Sequence, residues 1–222
     1  MKPAIFRRHP PLSFIALVFV LVSILVAKGE LSAAPITDLS ATGLDANGDV
    51  QSDGGVDANY RLTWPSSAAV YKMPTAAVPT NWYTPTNDSA WIGLSSDGST
   101  ESAGTYNYRL DFDLAGFNPE TAEISGSWAS DNDSKIYLNG IYTGDYASHD
   151  WFDRLTTFTI SGGFQTGINT LTFSVTNRST SSTGLLVANL AGEAALVPIP
   201  RAIWLLGSAL IGLVAIKGRL RA

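Results

Sequence analysis

The chain has 222 residues, with 19 acidic against 14 basic side chains and no cysteine. Without thiols there is no disulfide, zinc–thiolate or cysteine-nucleophile chemistry, so an exported domain must be held by its core. Eight basic residues and one acidic residue sit in the terminal segments, leaving six against 18 between residues 35 and 197; a surface of that sign repels nucleic acid and anionic lipid.

The N-terminus places Lys2, Arg7 and Arg8 before an apolar run from Pro11 to Ala27, with small residues at Ser32, Ala33 and Ala34. Charge, then grease, then small residues is the order of a secretory signal peptide, assigned to residues 1–34. The alternative is a permanent membrane helix, for which the 17-residue run is slightly short.

Residues 35–196 are expected to form one all-β domain. In residues 105–114, Tyr106, Tyr108, Leu110, Phe112 and Leu114 alternate with polar residues, which predicts a strand with one dry and one wet face. The same period recurs in residues 169–177, 124–128, 135–138, 157–160 and 185–190. Turn formers separate these runs, among them Asn139-Gly140, and no amphipathic helix is visible, so the pattern predicts a β-sandwich. The Pro-rich stretch from Pro65 to Pro85 is expected to wrap the sandwich as irregular loop.

Asp131, Asn132 and Asp133 offer consecutive oxygen-bearing side chains in a turn between Trp128 and Ile136. They suit calcium, which takes six to eight oxygen ligands; the plainer reading is an Asx-rich turn. Asp45-Ala46-Asn47-Gly48-Asp49 opens like an EF-hand loop but lacks the glycine and glutamate that such a loop needs later on, so it reads as a solvated turn. Trp128 shares the parity of Ile124 and is assigned to the interior. Tyr146, His149, Asp150 and Trp151 flank or form a predicted loop tip and are the candidates for gripping a sugar, the aromatics by stacking on its face. Catalysis finds little support. Ser148 and Asp150 adjoin His149 in the chain, whereas a triad converges in space from separate elements. The glutamates show no pairing across a cleft, and Arg109 with Asp111 on one wet face reads as a structural ion pair.

The order GLDANGDVQSDGGVDANYRL (43–62), SAWIGL (89–94), YNYRLDFDLAGF (106–117), ISGSWASDNDSKIYLNGIYTG (124–144), TTFTISGGFQTGINTLTFSVTN (156–177) and TGLLVANLAGE (183–193) resembles a domain common in secreted bacterial proteins. That domain looks like the galactose-binding-like jelly roll, an accessory module of glycoside hydrolases and lectins. The resemblance implies a jelly-roll β-sandwich, carbohydrate binding and a structural calcium, though many such modules have no assigned ligand.

The chain closes on Val197, Pro198, Ile199 and Pro200, then an uncharged run of 15 residues from Ala202 to Ile216 that includes Trp204 and Gly207. As a single transmembrane helix it covers about 22 Å of a roughly 30 Å hydrocarbon core. Lys217, Arg219 and Arg221 follow, and positive flanks stay cytoplasmic, so the domain would face outward. A lasting anchor is one reading. The motif, short span and basic tip over residues 197–222 resemble instead the VPLPA variety of the PEP-CTERM sorting signal, with Ile199 for the usual leucine and Arg201 for a small residue. That resemblance implies cleavage near the Pro motif by an exosortase-like membrane protease, a membrane contact that ends with cleavage, and residence at the surface or outside a bacterium that makes exopolysaccharide. Three functions follow: a non-catalytic surface or matrix protein that binds extracellular polysaccharide, a surface glycan hydrolase, or a purely structural protein without ligand.

Overall fold

The structure is a computed structural model that describes residues 32–148 and 151–198. The predicted signal peptide up to residue 31, His149, Asp150, Ile199, Pro200 and the predicted transmembrane segment with its basic tip lie outside the described residues. One compact unit runs from Ala33 to Val197.

Eleven strands build it: Ala33–Pro35 (β1), Val56–Trp64 (β2), Ala68–Lys72 (β3), Ile92–Gly93 (β4), Gly104–Asp113 (β5), Glu123–Asp131 (β6), Asp133–Leu138 (β7), Ile141–Ala147 (β8), Thr156–Ile160 (β9), Ile168–Asn177 (β10) and Gly184–Ala195 (β11). The only helical pieces among the described residues are single 3-10 turns at Pro119–Thr121 and Trp151–Asp153. The six strands expected from alternation are β5, β6, β7, β9, β10 and β11; five include the whole predicted run, and β5 stops at Asp113, one residue short of Leu114.

Hydrogen bonding links the strands in the order β8-β7-β10-β5-β2-β3-β4-β11-β6-β9, with β1 added beside β11. The pairings are antiparallel. The path folds over at β3 and β4 into two facing layers, and its end strands β8 and β9 both line one cleft, so the rim nearly closes as in a barrel. Apolar side chains fill the space between the layers. Phe173 on β10 meets Phe158 on β9 edge to face with centroids 6.0 Å apart, and Phe158 meets Trp128 on β6 in the same manner at 5.5 Å. The alternation in β5 and β10 produces this: Tyr108, Leu110 and Phe112 are buried opposite Phe173, Leu171 and Asn169, while the intervening residues stay half exposed. Each such apolar side chain contributes about 1.5–3 kcal/mol through burial. Trp128 lies inside, as its parity predicts, and donates its indole N–H to Ser134 Oγ at 2.8 Å.

The stretch from Pro65 to Pro85 corrects the expectation of irregular loop. Its residues 68–72 form β3, pairing β2 on one side and β4 on the other. Alanine dominates this strand and only Val70 and Lys72 are buried, so no apolar alternation betrays it. Beyond it the chain contributes Met73 and Trp82 to a second small core with Trp91, Ala129 and Leu186, against which Tyr83, Phe152 and Leu155 pack. Trp82 and Trp91 have ring centroids 4.4 Å apart, and Trp91 donates to the Tyr83 carbonyl. This second core covers the outer side of β6 and β11, where Ala129 and Leu186 point away from the main core. Among the described residues nothing covers the outer side of the opposite layer in this way: β5 and β10 keep every second residue half exposed. Among the described residues one broad sheet face is therefore left open.

Candidate functional site

The open face is a grid read from the strand registers. One row runs Tyr142 (β8), Tyr137 (β7), Thr172 (β10), Arg109 (β5) and Arg61 (β2); the next runs Tyr146, Lys135, Ser174 and Asn107; a third runs Asp133, Thr176 and Thr105. Neighbouring strands lie about 4.8 Å apart and alternate residues along a strand about 6.8 Å apart, so the rows span a surface large enough for several sugar rings. A depression of about 210 Å³ opens here, lined by Thr105, Asp133, Ser134, Lys135, Tyr137, Tyr146, Ser174 and Thr176.

The β7–β8 hairpin positions the aromatic side of this face. Asn139 and Gly140 take φ of 52° and 81°, the paired left-handed conformations of a type I′ turn that asparagine and glycine adopt at least cost. Asn139 is held further by its amide, which donates to Asn169 Oδ1 and Gly163 O while its own oxygen accepts from Thr170 N–H. The turn brings Tyr142 back over Tyr137, with ring centroids 5.7 Å apart, and seats the Lys135 ammonium over the Tyr142 ring at 5.7 Å. Tyr146 donates its hydroxyl to Asp133 Oδ1 at 2.8 Å, and that bond to a carboxylate, reinforced by partial desolvation, raises the pKa of the phenol and keeps it a donor.

Polar partners fix the rest. Arg178, just past β10, grips Asp133 with Nε to Oδ2 at 2.6 Å and Nη2 to Oδ1 at 3.0 Å. Asp111 accepts from both Arg109 and Arg61. Partial burial pushes its pKa up, but the hydrogen bonds from Arg109 and Arg61 outweigh this and hold it below the ordinary carboxylate range. The structural ion pair expected of Arg109 and Asp111 is present, with Arg61 as a third member.

Comparison with known proteins was made at three levels. Neither a family model nor a curated protein matches the sequence. Among solved structures, the chain is similar to a CBM35 from Paenibacillus barcinonensis, at 12% identity over 72% of this chain and 97% of that one, TM-score 0.33. It is similar also to a family 29 carbohydrate binding module, at 10% identity over 74% and 90% with TM-score 0.34. A third is the CBM36-1 domain of a multidomain xylanase from the hindgut metagenome of Trinervitermes trinervoides, at 9% over 75% and 98% with TM-score 0.28. Likeness at this level assigns neither a ligand nor a residue role, and the site stands on its own geometry.

The sequence-predicted residues fall in different places. Tyr146 joins the open face, but from within strand β8 rather than from a loop tip, because Tyr146 and Ala147 pair with Lys135 and Ser134 of β7. Trp151, 37% exposed, sits in the 3-10 turn that follows, whose Phe152 and Leu155 neighbours are packed on the second core, so it does not share the face with Tyr146. Asp131 ends β6, Asp133 begins β7, and Asn132 alone stands between them. Their side-chain oxygens have partners: Asp133 takes Arg178 and Tyr146, the Asn132 amide oxygen accepts from the Arg178 backbone N–H at 2.9 Å, and Asp131 Oδ1 accepts from the Asn132 amide, while the Asp131 backbone carbonyl accepts from the Thr183 hydroxyl. Among the described residues no group of three or more His, Cys, Asp or Glu side chains converges as metal ligands. The Arg178 guanidinium on the Asp133 carboxylate places a positive charge where a divalent cation at this turn would compete with it. Asp45 likewise spends its carboxylate on the Asn47 and Asp49 N–H groups, the solvated Asx turn that was expected.

Tyr137, Tyr142, Lys135, Ser174 and Thr176 were not found by sequence reasoning. The usable signal was the second parity of the predicted strands: reading 135–138 and 169–177 for their inward residues identifies the complementary positions as a wet face, and Lys135, Tyr137, Ser174 and Thr176 occupy it.

Proposed function

We propose that this domain is a non-catalytic carbohydrate-binding module, and that its open β8-β7-β10-β5 face is where the glycan lies. The observation that supports this best is the arrangement of Tyr137, Tyr142 and Tyr146 beside a file of hydroxyls from Thr172, Ser174 and Thr176 around a shallow depression. Sugar rings have one apolar C–H face and a rim of hydroxyls. Aromatic side chains take the first and short polar side chains the second, at the polar–apolar mixture typical of ligand sites. We read the sandwich as a jelly roll. The termini complete the proposal: a signal peptide exports the protein, an exosortase-like membrane protease reads residues 197–222, and the domain works at the cell surface or in the extracellular matrix of an exopolysaccharide-producing bacterium.

The test is binding of the full-length protein to an immobilised panel of neutral and acidic polysaccharides. Binding is expected to at least one, with Tyr137→Ala and Tyr146→Ala each weakening it roughly fivefold or more, as the loss of one stacked ring implies, and Trp151→Ala leaving it unchanged. Silence across the panel, or loss with Trp151→Ala alone, overturns the assignment of this face.

A further inference from the structure

The six basic residues of the domain are not spread evenly. Arg61, Arg109, Lys135 and Arg178 belong to the open face or its edge, and only Lys72 and Arg154 lie elsewhere. Of the 18 carboxylates, by contrast, the outward positions of β2, β5, β7 and β10 carry just Asp111, Asp113 and Asp133, and the one carboxylate of β8, Asp145, accepts from Thr143, which lines the cleft shared with β9. A domain with a formal charge of −12 thus presents one face that is slightly positive. Asp111 is shared between Arg61 and Arg109, and Asp133 is matched by Arg178. Among the described residues no carboxylate forms an ion pair with Lys135: its ammonium rests over the Tyr142 ring, beside the depression that it helps to line. Asp113 stands at the far end of β5, where its carboxylate accepts from the Ala115 N–H.

From this distribution we infer that the glycan taken by the open face is anionic, with Lys135 receiving its charged group while Tyr137 and Tyr146 flank the ring that bears it. The inference rests on the glycan-binding reading above and names the ligand class. Two electrostatic effects compete. The domain's overall negative charge repels a polyanion, and the local cations attract it. At physiological ionic strength the screening length is about 8 Å, so carboxylates on the far layer and in the loops are largely silent at the open face. Local charge wins there. Arg109 lies two strands and one row from Lys135, about 12 Å away by strand spacing, and the Asp111 carboxylate leaves the Arg61–Arg109 pair with one surplus positive charge. A chain bearing repeated anions crossing the face diagonally therefore meets two cationic points.

The experiment compares the full-length protein with polygalacturonate, its fully methyl-esterified neutral form, and a sulfated glycan of similar size, at low and high salt. The expected result is binding to the free acid that weakens with salt, markedly poorer binding to the ester, and a drop of about two- to fivefold for Lys135→Gln, larger for Lys135→Glu. Arg154→Gln, which removes equal charge away from the face, is expected to change nothing. Binding to the sulfated glycan alone, still dependent on Lys135, also upholds an anionic ligand and assigns sulfate as its charge. Equal binding to acid and ester, with Lys135→Gln silent, overturns the anionic class while the glycan-binding face survives. Equal loss from Arg154→Gln and Lys135→Gln shows that binding follows net charge and overturns it as well. No binding to any neutral or anionic glycan removes the underlying reading and this inference with it.

Discussion

Asp57 gives the sharpest test of how the sandwich is held together. It is a carboxylate on β2 only 3% exposed, accepting from the N–H groups of Gly43 at 2.6 Å, Asn59 at 2.8 Å and Tyr60 at 2.7 Å. Through Gly43 it ties the Thr42–Leu44 segment to β2, and Thr42 in turn bonds Ala90 and Val187 across the fold. Asp57→Ala leaves three N–H groups without an acceptor, at about 1–3 kcal/mol each where they stay dry. The carboxylate itself is costly to bury: desolvation raises its pKa despite the hydrogen bonds from Tyr60, Asn59 and Gly43. Setting one against the other, the expected net loss is about 3 kcal/mol, or roughly 6–12 °C in Tm for a domain of this size. Urea unfolding followed by fluorescence of the buried Trp82, Trp91 and Trp128 measures it, with exposed Asp49→Ala as control. The pH dependence has a definite sign. A raised folded pKa means the native state holds the proton more tightly, so Asp57 stabilises most at low pH and that contribution is lost as pH rises from about 4 through the folded value. The gap between wild type and Asp57→Ala therefore narrows as pH rises through that window. A loss below about 1 kcal/mol, within reach of an ordinary surface change, or a gap that widens with pH, refutes the reasoning.

Gly192→Ala places a Cβ 2.7 Å from the Glu123 carbonyl and 2.9 Å from Ile124 Cγ1 on the paired strand, and is expected to cost about 1–3 kcal/mol in thermal or urea unfolding; a neutral result means β6 and β11 part more easily than their packing implies. Because Asp133 is seated on Arg178, a chelator is expected to leave Tm unchanged in calorimetry; a fall of several degrees, the mark of a bound ion lost, restores calcium to the domain. The sequence assigns Ala33 and Ala34 to the signal peptide, but in β1 they pair with Ala195 and Ala194, so the cut is expected earlier and mass spectrometry of exported protein to find an N-terminus upstream of Ala33; one at Pro35 contradicts a structural role for that strand.

The architecture was largely legible in the order of residues. Tyr106 to Leu114 and Leu171 to Val175 announce one dry side by their period of two, Trp128 declares itself interior by parity with Ile124, and Asn139-Gly140 specifies its turn through the positive φ that both residues tolerate. Strand β3 was hidden because alanines carry no contrast between faces. Strand β8 was hidden because Gly144 interrupts it and the exposed Ile141 breaks the expected polarity.

The candidate site was legible only in part, through Tyr146 and Asp133, since alternation says which side of a strand is dry and is silent about what covers the other side. That was decided by packing: Met73, Trp82 and Phe152 close over β6 and β11, nothing among the described residues closes over β7 and β10, and so residues that look equally polar in the chain end as covered layer or open face. Charge followed the same rule. Arg61, Arg109, Lys135 and Arg178 are scattered over more than a hundred residues of sequence, and only the β8-β7-β10-β5-β2 register gathers them onto one surface.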